Sequence, residues 1–159
     1  MPATLDAQTT AARPWLQFYD KGVPPTHEYP EFALWELVRD SAKKYSDKVA
    51  LDFLGYTMTY TKLWEQVQRF AHALQALGIK KGDRVALMLP NTPQFLIGFY
   101  GAHLAGAMVI AINPVYSSRE LEHVLRDSGA ETLVIIDLKY PIFREIAATS
   151  HIKRTIVTG

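Results

Sequence analysis

Hydrophobic and polar positions follow two periods along this chain, and the changes between them predict its secondary structure. The clearest case runs from Arg84 to Pro114, where two short apolar runs, Val85–Leu89 and Met108–Ile112, flank a longer apolar helix. Strand, helix and strand within about thirty residues form a βαβ unit, because parallel strands need a crossover of that length. We expect the rest of the fold to be built around this unit.

The helix inside this unit carries its own start and stop signals. Asn91 or Thr92 is the predicted N-cap, and Pro93 takes the first helical position, where its missing N–H has no intrahelical partner to lose. The helix is predicted to run to about Ala105, with Gly106 as its stop.

Upstream, the same two periods predict two helices and a hairpin. In chain order these are a helix over Glu31–Tyr45, strands Val49–Phe53 and Tyr56–Thr59 joined across Leu54-Gly55, and a helix over Tyr60–Leu77. Thr59 is the predicted cap of the second helix and Gly78 its C′ residue. Lys80–Asp83 is predicted to be a solvated turn into the Val85 strand.

Downstream, the spacing of Ser117 and Glu120 is that of a capping box. The predicted elements that follow are a helix to Ser128 stopped by Gly129, a strand Thr132–Ile136, a short helix from Pro141 through Ile146, and a strand Arg154–Val157. Strands that alternate with helices predict an α/β domain, with a mostly parallel sheet and helices on both faces.

Residues 1–30 are predicted to form a proline-rich N-terminal arm, and residues 31–159 the α/β domain. The arm also carries Trp15, Leu16, Phe18 and Tyr19, which are too apolar for a free tail. Two interpretations stay open: the arm packs on its own domain, or it docks on a second subunit and makes a homodimer.

Composition excludes several classes of function. The 159 residues hold 17 basic and 16 acidic side chains, and a net charge of +1 argues against a nucleic-acid partner. The absence of cysteine excludes disulfides, thiolate nucleophiles and cysteine metal sites, and it suits a cytoplasmic protein. The N-terminus does not resemble a secretory signal.

The segment Phe95–Ile112 is apolar apart from His103 and is just long enough to cross a bilayer. The alternative, which we favour, is a buried helix that runs into a buried strand. In that case Gly98, Gly101 and Gly106 would allow close approach to the sheet. Membrane association would then be peripheral at most.

Few residues carry obvious chemistry. The chain has no G-x-x-x-x-G-K-[ST], no G-x-G-x-x-G after a strand and no G-x-S-x-G, and the turn Pro90–Pro93 has no glycine to admit a phosphate.

The five histidines, none at metal-ligand spacing, are His27, His72, His103, His123 and His151. His72 is interpreted as a helix-edge residue, and His103 as a buried histidine rather than a catalytic one. Glu120 and Glu122 are adjacent on a helix surface, and Glu120 already has a capping role.

Asn113-Pro114, at the carboxyl end of a strand predicted to be central, is the one position that hints at a ligand, since ligands of open α/β sheets bind at such ends. The simpler alternative is that Pro114 ends the strand and the Asn113 side chain fixes the turn.

Three stretches together resemble the AMP-forming acyl-CoA synthetases, the adenylate-forming ligases. They are PWLQFYDKGVP (Pro14–Pro24), MTYTKLWEQVQRFAHALQALGIKKGDRVALMLPNTPQF (Met58–Phe95) and NPVYSSRELEHVLRDSGA (Asn113–Ala130). The first and last are most similar to the long-chain fatty-acid–CoA ligases, and the resemblance covers about residues 13–159. It implies the N-terminal lobe of an acyl-CoA synthetase-like fold, an incomplete subdomain of a larger adenylate-forming domain.

The resemblance implies a ligase of fatty-acid and lipid metabolism that uses ATP, Mg²⁺ and coenzyme A. A fatty carboxylate attacks ATP to give acyl-adenylate and pyrophosphate, and the thiol of coenzyme A then takes the acyl group. The family's phosphate loop, ribose-binding residues and C-terminal catalytic lysine are expected beyond this chain. No catalytic, cofactor-binding or metal residue is therefore assigned within it, and no cofactor is expected bound to it.

The leading hypothesis is thus the N-terminal portion of a long-chain fatty-acid–CoA ligase that is inactive by itself. The alternatives are a small non-catalytic α/β ligand-binding module and an interaction or membrane-associated protein. The leading hypothesis predicts apolar surface left uncovered, or an open sheet edge near Arg154–Val157.

Overall fold

The computed structural model of the chain describes residues 13–159. These fall into two compact units, one ending at Phe32 and one that runs from Ala33 to Gly159. In the first unit Pro14–Phe18 form a 3-10 helix. Pro14 fits there, because a proline suits the first turn of a helix. Residues 1–12 of the predicted arm lie outside the described residues, and its docking partner stays a prediction.

The second unit contains five α-helices and six strands within the described residues. In chain order they are α1 (Glu36–Lys44), β1 (Val49–Phe53), β2 (Tyr56–Thr59), α2 (Tyr60–Ala76), β3 (Arg84–Met88), α3 (Pro93–Leu104), β4 (Met108–Ala111), α4 (Ser118–Ser128), β5 (Thr132–Ile136), α5 (Tyr140–Ile146) and β6 (Arg154–Thr158). A 3-10 turn, Asp137–Lys139, precedes α5.

Four strands form one parallel sheet in the order β4-β3-β5-β6, while β1 and β2 pair antiparallel in a sheet of their own. Val85 of β3 pairs with Val109 on one side and Thr132 on the other, and Thr132 in turn pairs with Arg154. The prediction of a mostly parallel sheet is confirmed. Within the described residues, however, β4 is an edge strand and not a central one.

Helices cover both faces of this sheet. In β3, Val85 and Leu87 point into a core shared with α2 and α3, whereas Ala86 and Met88 point into a second core shared with α4 and α5. Alternate residues of a strand face opposite sides, so a strand buried on both sides is apolar throughout. The predicted two-sided cover is confirmed.

The β1–β2 hairpin turns at Leu54 and Gly55, as predicted. Their φ angles of 52° and 84° are both positive, as a type I′ turn requires. The Asp52 side chain accepts a hydrogen bond from the Gly55 N–H at 3.1 Å, which fixes the turn further.

The predicted helix boundaries are confirmed where a side chain or a glycine sets them. Thr59 Oγ1 accepts from the Lys62 N–H at 3.2 Å and begins α2, and Ser117 with Glu120 forms the complete capping box of α4. Gly78 and Gly129, with φ of 84° and 63°, follow α2 and α4.

The first helix is shorter than predicted. It begins at Glu36 instead of Glu31, and Phe32 and Leu34 are 47% and 39% exposed. The Glu36 carboxylate accepts the Ala33 N–H at 3.0 Å, so the backbone turns in at that point. The apolar spacing of Phe32 and Leu34 predicts a longer helix, but these two residues lie outside it.

The glycines in and just after α3 have three different roles, and only that of Gly98 is the expected close approach to the sheet. Gly98 does face the sheet, since a Cβ there would lie 3.4 Å from Leu87 Cδ2, but Gly101 faces Phe70 of α2. Gly106 supplies a positive φ of 85° just after the helix. Among the described residues, no helix is long and apolar enough to cross a membrane.

Two exposed features follow from the edges of the sheet. Met108 of β4 is 46% exposed, so the expectation of a fully buried strand there is wrong, because an edge strand is covered on fewer sides. At the opposite edge, β6 pairs only with β5 within residues 13–159, and Val157 is 46% exposed. The predicted open edge near Arg154–Val157 is present in this part of the chain.

Candidate functional site

The carboxyl ends of the four parallel strands are the natural place to look for a site. The chain leaves β3 toward β4 on one side, whereas β5 and β6 lie on the other side. The crevice between the ends of β3 and β5 is therefore the topological switch point, where ligands of open α/β sheets bind. Its two rims are residues 89–92 and the turn Asp137–Lys139.

The residue that follows β6, Gly159, contacts side chains on both sides of this crevice. Gln94 Nε2 donates to the Gly159 carbonyl at 3.0 Å, and a Cβ on Gly159 would lie 2.8 Å from Asp137 Oδ2. The other carboxylate oxygen of Asp137 accepts the Leu138 N–H at 2.6 Å. Gln94 Oε1 is buried with no hydrogen-bond partner in the described structure. Gly159 thus lies within contact distance of residues beside both rims of the crevice.

The rim formed by the β3–α3 turn is poorly suited to a phosphate. The N–H groups of Thr92 and Phe95 donate to the carbonyls of Pro90 and Thr92, at 2.7 and 3.0 Å, and Pro93 has no N–H. A phosphate cradle needs free backbone N–H groups at the helix N-terminus. With two N–H groups engaged and a third missing, this turn has few N–H groups left for a nucleotide phosphate.

Asn113 and Pro114 follow the edge strand β4, away from the switch point. Asn113 Oδ1 accepts the Val115 N–H at 3.1 Å, and the Asn113 carbonyl accepts the Tyr116 N–H at 3.1 Å. The side chain is thus engaged in its own turn, as the simpler interpretation has it. The premise that this pair ends a central strand is wrong.

The other residues considered from sequence do not converge on one place. His103, half-buried at the end of α3, packs edge-on against Phe99 with ring centroids 4.8 Å apart, and burial lowers its pKa. His72 is exposed on α2. The Ser117 backbone N–H, and then its hydroxyl, lowers the pKa of Glu120 by hydrogen bonding. Glu122 accepts from the Thr149 hydroxyl at 2.9 Å.

Within the described part of the chain, no three histidine or acidic side chains lie close enough together to hold a metal ion. Within these residues the geometry therefore supplies no metal centre. It offers a scaffold around which other residues could build a site.

One of the concave regions that sequence reasoning missed lies between the β1–β2 hairpin and the first half of α3. It consists of two adjoining cavities of about 270 and 470 Å³ that share Phe53 and Pro93 in their walls. The remaining apolar lining residues are Leu51, Tyr56, Met58, Phe95, Leu96 and Ile97. The signal for this groove was in the sequence: Pro93–Leu104 is apolar around its whole circumference and needs cover on every side.

Known proteins are similar to this chain in sequence and in fold. The family model of the AMP-binding enzymes matches residues 38–158. A long-chain-fatty-acid–CoA ligase of Bacillus subtilis (strain 168) is 36% identical over 147 residues, which are 92% of this chain and 26% of that protein. A second such ligase, from Salmonella typhimurium, is 38% identical over 146 residues, 91% of this chain and 26% of that protein.

The crystal structure of a long-chain-fatty-acid-CoA ligase from Archaeoglobus fulgidus superimposes with a TM-score of 0.79 at 28% identity. The match covers 89% of this chain and 30% of that one. The chain thus spans about a quarter of the length of the curated relatives that it matches.

Proposed function

The chain belongs to the AMP-binding enzyme family, and from this premise we propose that it is the N-terminal portion of a long-chain fatty-acid–CoA ligase. One observation carries the choice of substrate class. The similarity to two bacterial long-chain-fatty-acid–CoA ligases extends over more than nine-tenths of this chain, so it includes most of the arm as well as the α/β unit.

The proposed reaction has two steps. A carboxylate oxygen of the fatty acid attacks ATP, with Mg²⁺ bound, to form acyl-adenylate and release pyrophosphate. The thiol of coenzyme A then attacks the acyl carbon, and AMP leaves. These substrates and cofactors are proposed for the whole ligase and not for residues 1–159 alone.

The contribution of this chain is structural in the proposal. The β3–α3 turn has few free N–H groups, and Asn113 is engaged in its own turn. No catalytic or cofactor-binding residue is therefore assigned here. The phosphate loop, the ribose-binding residues and the catalytic lysine of the family are proposed to lie in other parts of the ligase, and the chain alone is proposed to be inactive.

ATP–pyrophosphate exchange with a long-chain fatty acid tests this proposal. The product of the full gene should catalyse exchange and, with coenzyme A, form acyl-CoA, whereas residues 1–159 should do neither. Exchange by residues 1–159 alone would contradict the assignment of an inactive portion. A full gene product that forms no acyl-adenylate from any fatty acid would contradict the proposed ligase function.

The small ligand-binding module is the competing candidate. Its ligand would sit near Asn113, whose side-chain oxygen already accepts the Val115 N–H. Titration of residues 1–159 with ATP or a fatty acid, followed by amide chemical shifts, separates the two. Saturable shifts confined to residues 111–116 would favour the module, and their absence favours the ligase portion.

Location and assembly extend the same proposal. We place the ligase in the cytoplasm, with at most peripheral membrane association, and cell fractionation tests this. Deleting residues 1–30 and measuring the mass in solution decides whether the arm dimerises the protein. If the number of subunits does not change, the arm packs on its own domain instead of joining two subunits.

A further inference from the structure

The amino ends of the parallel strands form a polar cavity, at the end of the sheet opposite to the switch point. Its volume is about 170 Å³, and polar groups make up almost all of its wall. The first residues of three strands contribute to this wall: Arg84 of β3, Thr132 of β5 and Arg154 of β6. The sheet therefore brings together polar side chains that are far apart in the sequence.

Two arginines reach this cavity from opposite faces of the sheet. Arg84 Nη1 lies 3.5 Å from the place of a Cβ on Gly129, at the end of α4, and Arg154 Nη2 lies 3.7 Å from that of a Cβ on Gly78, after α2. Neither guanidinium forms an ion pair with a carboxylate of residues 13–159. Each guanidinium has five N–H donors in a planar fork, which matches the oxygens of a carboxylate or a phosphate.

The helix ends explain the position of each arginine but not the cavity between them. The C-terminus of a helix carries a partial negative charge, which attracts a cation to the ends of α2 and α4. That attraction does not account for Thr132, which is only 2% exposed and lies in the same wall. A threonine hydroxyl can donate to an oxyanion, so Thr132 adds a donor between the two guanidinium groups.

Two carboxylates in the wall restrict which anion the cavity can accept. Asp83 Oδ2 accepts the Lys80 N–H at 2.8 Å, and Glu131 Oε1 accepts from Lys153 Nζ at 2.7 Å. These bonds use one oxygen of each carboxylate, and the second oxygen can accept from a ligand. A fully ionised anion such as sulfate would be repelled by these charges. Hydrogen phosphate has an O–H that donates to a carboxylate, so it satisfies both kinds of group.

We propose that this cavity binds hydrogen phosphate, as the free ion or as the phosphate group of a small ester. Arg84 and Arg154 donate to the ionised oxygens, and Asp83 or Glu131 accepts from the O–H. The cavity is smaller than the 300 Å³ or so that is usual for a larger organic ligand, so a whole nucleotide does not fit inside it. The inference does not depend on the proposed ligase function, because every residue that carries it lies in the described chain.

Amide hydrogen exchange of the full gene product tests the site. Phosphate should slow exchange in residues 82–84 and 129–132 about fivefold or more relative to chloride of equal ionic strength, because a ligand of the folded state suppresses local opening. Sulfate of equal ionic strength should protect these segments far less. Unchanged exchange in phosphate would overturn the inference. Equal protection by sulfate would also overturn it, because the carboxylates would then have no part in selecting the ligand.

Methyl phosphate distinguishes the two sources of the ligand. At about pH 6 a large share of both phosphate and methyl phosphate carries an O–H. Protection by inorganic phosphate alone would identify the free ion as the ligand, and protection by methyl phosphate as well would show that the site admits small esters. Both results support the site, whereas protection by neither ion would overturn it.

Variants of the full product test the arginines. Arg84→Gln and Arg154→Gln should each raise the phosphate concentration for half-maximal protection about tenfold or more, because each removes charge-assisted hydrogen bonds. Arg126→Gln, at an exposed position of α4 outside the cavity, removes the same charge and should change that concentration less than about twofold. Equal losses in all three variants would overturn the inference, since phosphate would then respond only to net charge.

Arg84→Lys separates the guanidinium fork from its charge. Lysine keeps the positive charge but offers a point charge in place of two parallel donors, so this variant should also bind phosphate more weakly than the wild type. Wild-type affinity in Arg84→Lys would overturn the assigned contact. Ligase activity enters none of these measurements, so the failure of either proposal leaves the other standing.

Discussion

Gly101 of α3 lies so close to Phe70 of α2 that a Cβ at position 101 would come within 2.8 Å of Phe70 Cδ1. The same Cβ would lie 3.1 Å from the carbonyl oxygen of Val67, which belongs to the backbone and cannot turn away. The two helices therefore meet at a distance that only glycine allows at this position.

Gly101→Ala should destabilise the α/β unit by about 1–3 kcal/mol, because the added methyl group overpacks the contact between α2 and α3. Urea unfolding followed by tryptophan fluorescence measures the change. Gly98→Ala is the matched control on the same helix: its Cβ would meet Leu87 at 3.4 Å, and the higher helix propensity of alanine offsets up to about 1 kcal/mol. Equal losses in the two variants would contradict the assigned contact.

His103 should make the stability depend on pH. Burial lowers its pKa in the folded protein below the ordinary 6.5, so the unfolded chain binds a proton more readily than the folded one. Stability contributed by the neutral ring is therefore complete above about pH 6.5 and declines as the pH falls through this value toward the lowered pKa. The decline ends once the pH is below both values.

Urea midpoints of the wild type and His103→Gln, measured above and below this window, check the prediction. The wild type should lose more stability between the two pH values than the variant does. An identical pH dependence would show that the His103 ring is not the responsible group.

Ser117→Ala should cost about 1 kcal/mol of stability, because it removes the acceptor for the Glu120 N–H at the start of α4. Thr92→Ala is the control, since Thr92 occupies the N-cap of α3 without a side-chain cap bond, and its loss should be smaller. The Glu120 carboxylate has a lowered pKa, so its share of the capping box is present above its unfolded pKa and is lost as the pH falls. The effect of Ser117→Ala should accordingly shrink once the pH falls through the lowered pKa of Glu120, and an effect that stays constant after Glu120 is protonated would contradict the box.

Leu54→Asn should stabilise the hairpin by about 0.5–1 kcal/mol. Leu54 has a φ of 52°, which is unfavourable for a bulky L-residue, and asparagine tolerates this conformation better. Leu54→Ala is the control, because it removes the exposed apolar side chain but not the backbone strain. A gain from alanine as large as that from asparagine would show that exposure, and not φ, is the source.

The sequence predicted those parts of the fold that local chemistry determines. Thr59, Gly78 and Ser117 set helix ends through their own side chains or their own φ, and each was identified correctly. The start of α1 was missed because Phe32 and Leu34 have helical spacing without a surface to bury. Periodicity indicates which residues share a face, but not whether another element covers it.

Local sequence patterns did not predict the order of the strands or the contacts at the crevice. The strands β3, β4 and β5 are all mainly apolar, so nothing in the Met108–Ala111 run distinguishes an edge strand from a central one. Gln94 reaches Gly159 across 65 positions of sequence, and no motif connects them. The apolar composition of α3 did indicate the groove, because a helix with apolar residues on every side predicts an additional layer of structure that covers it.

The order of strands in the parallel sheet also bears on how the protein is made. β3 is the first of the four to leave the ribosome; β4 then adds on one flank, β5 on the other, and β6 on the outside of β5. Each newly synthesised strand thus finds its neighbour already in place. The four strands of this sheet can therefore pair at the pace of translation, because none of them has to wait for another of the four that has yet to be synthesised.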